Sequence, residues 1–339
     1  MKHNATMSDI AQKLGISTVT VSKALSGKSG VSENLKKEIL RVAQELGYSE
    51  KIKKKEEKRQ KTIGVIVAER FLAESRSYYW RLYQEITLSA KRKSFFTLLE
   101  VVNSDAESVC EQPKLLRQGH IDGLIVMGAF GNKYLEMLNS MVKVPLVALD
   151  SVYEKINGDA VIADNIEGGY HMTEYLIHAG FRKIGYVGTL RATPSIDDRY
   201  VGYYKAMFFN GLPVKEEWLL EDRDIKSGIV DTETTFVLPR AADMPDAFFC
   251  NSDVSARILV RKLKEKGYRV PEDISVAGFD HYLPEHMNFL DFTTYEVDMQ
   301  GMAGETVELL YNRIFGQGGA FRTLTVRGNI VLGNSVRLR

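Results

Sequence analysis

The 339-residue sequence predicts an all-α head carrying a helix-turn-helix, followed by a bilobed α/β body with two doubly wound parallel sheets. Three observations carry that prediction. Three short amphipathic segments fill residues 6–48, the first two joined by a Gly-Ile-Ser turn. Beyond residue 61, short apolar runs alternate with helical spacing, and the alternation occurs in two sets. Charge divides at the same boundary: residues 1–61 carry fourteen Lys and Arg against seven Asp and Glu, a net +7, while the remainder is −6. A basic head on a mildly acidic body directs any polyanionic partner to the head.

In the head, Thr6 is a helix N-cap with Asp9 three residues on, and Ile10, Ala11 and Leu14 share one face. Gly15 supplies the left-handed residue that stops the helix, and Ile16 pins the turn. Ser17 caps a second helix through Val19, Val21 and Ala24. Ser32 opens a third, with Leu35, Ile39, Val42, Ala43 and Leu46 at core spacing and Gly47 closing it. The exposed face Thr18, Ser22 and Lys23 favours a groove-reading second helix over a plain helical bundle.

In the body, TIGVIV (62–67), FFTLLEVV (95–102), DGLIVMG (122–128) and PLVALD (145–150) read as strands. Helices are expected over Trp80–Ser94 and Asp105–Gln118, and between the third and fourth strands. A second set gives a helix over 167–180, strand KIGYVG (183–188), a helix over Tyr200–Asn210, strand AFFC (247–250), a helix over Val254–Lys266 and strand ISVAGF (274–279). Without a glycine-rich dinucleotide fingerprint, two such halves imply a ligand held between lobes, beyond the carboxyl ends of the strands.

Several classes are excluded. Cys110 and Cys250 are far apart, have no metal-ligand spacing, and read as reduced thiols. The N-terminus lacks the apolar core of a signal peptide, and the apolar runs are too short to span a bilayer, so a cytoplasmic location is expected. There is no GxxxxGK[ST], HExxH or GxSxG, and His281 beside Asp280 has no nucleophile near it in sequence. No catalytic residue, metal or cofactor is expected, although an enzyme stays as an alternative class.

SDIAQKLGISTVTVSKALSGKSGVS resembles the DNA-binding head of the lactose-repressor (LacI/GalR) family. DNIEGGYHMTEYLIHAGFRKIGYVG, DRYVGY, FFCNSDVSA, VPEDISVAGFD and FTTYEVDMQGMAGETV resemble, in order, its effector-binding core, which is of the type I periplasmic-binding-protein kind. The resemblance runs through essentially the whole chain. It implies a DNA-binding domain over 1–48, a linker over 49–61, and an effector-binding and dimerisation domain over 62–339. The first lobe would take about 62–161 and 293–321, and the second about 162–292 and 322–339.

By that likeness Thr18, Val19, Ser22 and Lys23 occupy base-reading positions, with Lys23 replacing the usual Arg and lacking its bidentate fork. Thr6, Ser17, Thr20, Lys28 and Ser32 complete the expected DNA contacts of the head, and Ile52 and Lys54 those of the linker. In the cleft the resemblance implies Tyr78 and Tyr79 as aromatic contacts, although Tyr79 or Trp80 could instead pack in the core. Arg199 matches the cleft arginine, the alternative being a surface ion pair with Asp197 or Asp198. Asp280 matches the hydroxyl-binding carboxylate, the alternative being a loop acid that caps a turn. Asp253 matches the Asp of the usual Asn-Asp pair, with Ser252 in place of Asn. Asp164 and Glu167, at the lobe crossing, are weaker candidates because an acid after a strand often caps a helix. Arg223 stands where an aromatic residue is usual, and with Arg199 it suggests an effector bearing an acidic group.

The implied function is a sequence-specific transcriptional regulator, a repressor of a carbohydrate-use operon. It would act as a homodimer on a pseudopalindromic operator, under allosteric control by a small sugar or sugar acid. A corepressor-dependent regulator shares these features, and a sugar-binding protein without a DNA role would need a different head. The run KIKKKEEKRQK (51–61) lies where the family places a hinge helix that wedges a Leu into the minor groove. Here Lys54 and Glu57 occupy the Ala and Leu positions. An ionised Glu cannot serve as an apolar wedge, so the linker is expected to contact phosphates through its lysines and kink the operator less, with Ile52 in a shifted register as the alternative.

Overall fold

The structure, a computed structural model, describes residues 5–25, 30–46, 48, 60–72, 77–117, 119, 121–225, 228, 230, 236–282 and 291–338. Lys28, Gly47, Ile52, Lys54 and nearly all of the 51–61 run lie outside the described residues. The chain forms two compact units, residues 1–60 and 61–339.

The first unit is three helices: α1 (Met7–Leu14), α2 (Thr18–Leu25) and α3 (Glu33–Glu45). Thr6 and Asp9 form a reciprocal capping box, Gly15 ends α1 with a φ of 64°, and Ser32 caps α3. Ile10, Ala11, Val21, Ala24, Ile39, Val42 and Ala43 form the core. Lys13 pairs with Glu45 at 3.0 Å and ties α1 to α3.

The second unit holds two six-stranded sheets. The first contains β1 (Thr62–Ala68), β2 (Phe96–Val102), β3 (Gly123–Met127), β4 (Leu146–Leu149), β5 (Asp159–Ala163) and β11 (Thr323–Val326), in the order β11-β5-β4-β3-β1-β2, all parallel. The second contains β6 (Ile184–Val187), β7 (Leu219–Leu220), β8 (Ala247–Cys250), β9 (Ser275–Asp280), β10 (Thr293–Glu296) and β12 (Asn329–Val331), in the order β12-β10-β9-β8-β6-β7. Only β12 runs antiparallel to its neighbour among the described pairs. Central strands such as β3 are buried on both faces, as parallel strands sandwiched by helices must be.

Helices α4 (Tyr78–Arg92), α5 (Ser104–Ser108), α6 (Lys114–Arg117) and α7 (Asn132–Met141) belong to the first lobe. The second lobe has α8 (Asn165–His178), α9 (Pro194–Phe209) and α10 (Asp253–Glu265), and α11 (Met299–Ile314) returns to pack on α4 and the first sheet.

Three expectations are corrected. The helix over Asp105–Gln118 is two pieces, because Pro113 disfavours helical backbone at Gln112 and Cys110 turns at φ 54°. The Glu100 carboxylate then accepts the Lys114 and Leu115 amides at 2.8 and 2.9 Å, which starts α6. The helix expected from Tyr200 begins six residues earlier, at Pro194, with Thr193 as its cap. Thr293–Glu296, expected in the first lobe, pairs with β9 in the second sheet, while Thr323–Val326, expected in the second lobe, pairs with β5 in the first. Pairing decides that membership, β10 between β9 and β12 and β11 at the edge beside β5, and a local sequence pattern carries no record of it.

Helices α8 and α9 touch backbone to backbone. A Cβ on Gly202 would lie 2.1 Å from the Ile166 carbonyl oxygen, and one on Gly169 would lie 2.4 Å from the Arg199 carbonyl oxygen. Glycine is required at both places by close approach. Gly202→Ala is therefore expected to lower stability by about 1–3 kcal/mol in urea denaturation, because rigid backbone cannot yield as a side chain would. A change below about 0.5 kcal/mol would mean that the helices separate freely.

Candidate functional site

A cleft of about 290 Å³ opens in the second unit beyond the carboxyl ends of both sheets. The first lobe contributes Arg70 and Phe71 after β1, Tyr78 and Tyr79 at the start of α4, and Asp150 after β4. The second contributes Arg199 on α9, Arg223 after β7, Asn251 after β8, and Asp280 and Tyr282 at and after β9.

Arg199 is 5% exposed and holds the centre. Its Nε donates to Asn165 Oδ1 at 2.9 Å, and its Nη1 donates to the Asn251 carbonyl. Nη1 also lies 3.0 Å from Asp280 Oδ1, an ion pair out of line for a hydrogen bond. The guanidinium carbon sits 3.9 Å from the Phe279 ring centroid. Burial works against the charge, yet Asp280 and then Asp150 outweigh it and raise the Arg199 pKa.

Asp150 and Asp280 both have left-handed backbone, with φ of 65° and 92°. Such strain at a non-glycine strand end is found where a side chain must be aimed. Tyr79 donates to Asp150 Oδ2 at 2.7 Å. Asp150 Oδ1, Asp280 Oδ1 and the Tyr78 hydroxyl are buried and have no hydrogen-bond partner among the described residues. Burial raises the Asp150 pKa to about 6 against the hydrogen bond from Tyr79, and raises that of Asp280 against the charge of Arg199. Burial, followed by Asp150 and Asp280, pushes the Tyr78 phenol well up. The site thus presents two carboxylate acceptors and a phenol, with aromatic rings beside them.

Arg223 is engaged elsewhere. Its Nε and Nη2 grip Asp222 at 3.0 and 2.7 Å, and Nη2 reaches Asn251 Oδ1 at 3.1 Å. Asp222 also accepts from Asn251 Nδ2, Ser255 Oγ and the Thr189 amide. Although burial opposes it, the charge of Arg223 and these bonds hold the Asp222 carboxyl far below its usual range. With Arg199 paired to Asp280 as well, both arginines expected to take an acidic effector already face carboxylates.

In the first unit, α2 shows Thr18, Val19, Ser22 and Lys23 on its exposed side, while Val21 and Ala24 are buried. Val19, an apolar residue, is 62% exposed. The Ser17 hydroxyl accepts the Thr20 amide at 3.1 Å and sets the start of the helix.

The profile of bacterial regulatory proteins of the lacI family matches residues 6–50, and that of the periplasmic binding protein-like domain matches residues 173–336. The chain thus joins a lacI-family DNA-binding domain to a periplasmic binding protein-like domain. Relatives include the HTH-type transcriptional repressor PurR of Pasteurella multocida, 28% identical with 99% of both chains covered, and the ribose operon repressor of Haemophilus influenzae, 26% identical with 98% of both covered. In structure it is similar to the lac repressor dimer bound to operator and the anti-inducer ONPF, with TM-score 0.68, 21% identity and coverage of 99% of this chain and 100% of that one. It is also similar to the CelR–cellobiose complex, with TM-score 0.67, 24% identity and 98% and 99% coverage. With that head and repressor relatives along its whole length, it is a DNA-binding transcriptional regulator, and no described helix is long and apolar enough to cross a membrane.

Of the effector contacts expected in this chain, Tyr78, Tyr79, Arg199, Arg223 and Asp280 line the cleft. Three expected residues lie elsewhere. Glu167 pairs with Lys205 at 2.6 Å, and Asp164 faces Arg327 at 3.8 Å beside the lobe crossing. Asp253 takes the Tyr282 amide at 2.9 Å and lies across β9, where a Cβ on Gly278 would sit 1.9 Å from its Oδ1. Trp80 packs edge-on to Tyr83 away from the lining. The amide thought to be replaced by Ser252 is present one residue earlier, at Asn251, and Ser252 caps α10. Asp150 and the anchor Asp222 escaped sequence reasoning. For Asp150 the available signal was an acid closing the apolar run PLVAL.

The raised Asp150 pKa has a sign. Its folded value, about 6, exceeds the ordinary 3.8, so the associated stability is present in full below 3.8 and lost as pH rises through 6. Asp150→Asn mimics the protonated acid. It is expected to unfold at a higher temperature than wild type above about pH 7, by the equivalent of roughly 1–3 kcal/mol, and to match it near pH 4. An equal gap at both pH values in thermal melts would contradict this.

Proposed function

We propose that the chain is a transcriptional repressor that reads a pseudopalindromic operator as a homodimer through α2, and is released when a neutral, polyhydroxylated carbohydrate fills the cleft. One observation carries the effector class: in one cavity Asp150 Oδ1 and the Tyr78 hydroxyl are buried without a hydrogen-bond partner, and Asp280 Oδ1 has only its ion pair with Arg199. Unsatisfied buried acceptors cost about 1–3 kcal/mol each and call for donors. Sugar hydroxyls are donors, and the rings of Phe71, Tyr78 and Tyr282 suit the apolar face of a pyranose or furanose. An acidic group would meet Asp150 and Asp280 while both nearby guanidiniums face carboxylates, which argues against a uronate or sugar phosphate.

Homodimerisation is supported by the edge strand β2, where Phe96, Leu98 and Val101 are 58%, 43% and 45% exposed. An apolar open edge invites a second copy. The lysines of the 51–61 run supply phosphate contacts. Control works to the extent that the effector prefers one lobe arrangement.

Titration calorimetry and thermal shift with neutral sugars against uronates and sugar phosphates test the effector class. A neutral sugar is expected to bind, and Asp280→Asn to weaken it about 10- to 100-fold by removing a charged acceptor. Tight binding of acidic sugars alone would overturn the reading. Labelled operator with and without that sugar gives the direction of control, and tighter binding with sugar would make it a corepressor. Lys23→Ala should weaken specific operator binding by about 1–3 kcal/mol and leave non-specific binding nearly unchanged. Equal losses would confine Lys23 to the phosphates.

A further inference from the structure

The chain crosses between the lobes three times: between β5 and α8, between β10 and α11, and between β11 and β12. One side chain touches the first crossing and is linked to the other two through its neighbours. Arg199 Nε donates to Asn165, the first residue of α8, at 2.9 Å. Its ion-pair partner Asp280 accepts the Val297 amide of the second crossing on its backbone carbonyl, at 3.4 Å. The third link runs through rings. The Arg199 guanidinium lies over Phe279, Phe279 stacks on Tyr295 with centroids 4.8 Å apart, and the Tyr295 hydroxyl accepts the Gly328 amide at 2.8 Å. The first and third crossings are themselves joined by the Asp164 amide donating to the Val326 carbonyl at 3.0 Å.

There is no slack in this chain of contacts. A Cβ on Gly168 would sit 2.8 Å from Phe279 Cζ and 2.9 Å from Tyr295 Cε1, and one on Gly328 would sit 1.9 Å from the Glu296 carbonyl oxygen. Phe279 and Tyr295 are 0% and 3% exposed.

We propose that Asn165 and Tyr295 are positioning residues that tie Arg199 to the three crossings, so that displacement of Arg199 in the cleft changes the lobe angles open to the body. Its use in regulation rests on the cleft being the effector site, but the wiring itself does not. A ligand that draws Asp280 away from Arg199 would loosen the second link and shift the aromatic stack, and the hinge would then sample other angles.

Hydrogen exchange on the full-length chain, with neither operator nor sugar present, tests the wiring apart from the functional reading. Tyr295→Phe keeps the ring and deletes the acceptor. Exchange is expected to rise about threefold or more at all three crossings, around 164–166, 296–299 and 326–329, while β1 and β3 stay protected. A rise confined to the Gly328 segment would reduce Tyr295 to a local contact, and a rise throughout the body would reduce it to a core residue; either result overturns the proposal. Arg199→Lys, which loses the planar fork and its stacking on Phe279, should open the same three segments, and unchanged exchange there would overturn it independently.

Discussion

A guanidinium taken out of water between two lobes must be compensated from both sides, and the architecture of the body turns on how Arg199 is compensated. The isolated charge would be prohibitive in a low-dielectric site. The structure meets it with Asp280 at a strand end, an amide oxygen at a helix start, a backbone carbonyl and the face of a phenylalanine. These partners sit on β9, on α8 and just after β8, so the elements cannot be placed independently of one another. The backbone contact of α8 with α9 sets where the arginine can be, and the left-handed turns at Asp150 and Asp280 set where the carboxylates can be.

This compensation is incomplete in a specific way. Asp280 satisfies Arg199 by charge but leaves an oxygen without a directed hydrogen bond, and Asp150 faces the same cation from the other lobe with an oxygen of its own unmatched. Like charges across a gap favour separation or protonation. A cleft so built has a reason to close on a molecule rich in hydroxyl donors. The head is built differently: α1 and α3 are capped by Thr6 and Ser32, seven residues form its buried core, and Thr18, Val19, Ser22 and Lys23 stand on the exposed face of α2.

Much of the fold was legible because its signals are local. Thr6 with Asp9, Gly15 and Ser32 mark helix ends through the shape of their own backbone and side chains, and the apolar runs of β1, β3 and β8 announce strands buried on both faces. The lobe membership of β10 and β11 was not legible, because it depends on which sheet each strand joins, β10 beside β9 and β11 beside β5 about 160 residues earlier in the chain. In the cleft, Arg199, Asp280 and the tyrosines could be placed by their motifs. Asp164 and Glu167 could not be told from Asp150, since all three are acids near a strand end. Only the φ at Asp150, and the presence of Lys205 and Arg327 beside the other two, separates them. Arg223 was legible as a cleft residue but not as a spent charge, because its partner Asp222 looks like any loop acid until its burial is known.

That pair also constrains how the regulator can change its ligand. Arg223 stands in the cleft wall and is an obvious position to vary in building a sensor for a different sugar, yet Asp222 behind it is fully enclosed and anchors Asn251, Ser255 and Thr189 as well. Any library that randomises Arg223 alone fills itself with proteins carrying a stranded carboxylate, and most of its members will be lost to misfolding before selectivity is ever sampled. The two positions form one unit of inheritance: a lineage can alter its taste at this wall by paired replacement, or by leaving both untouched and working from the first-lobe side.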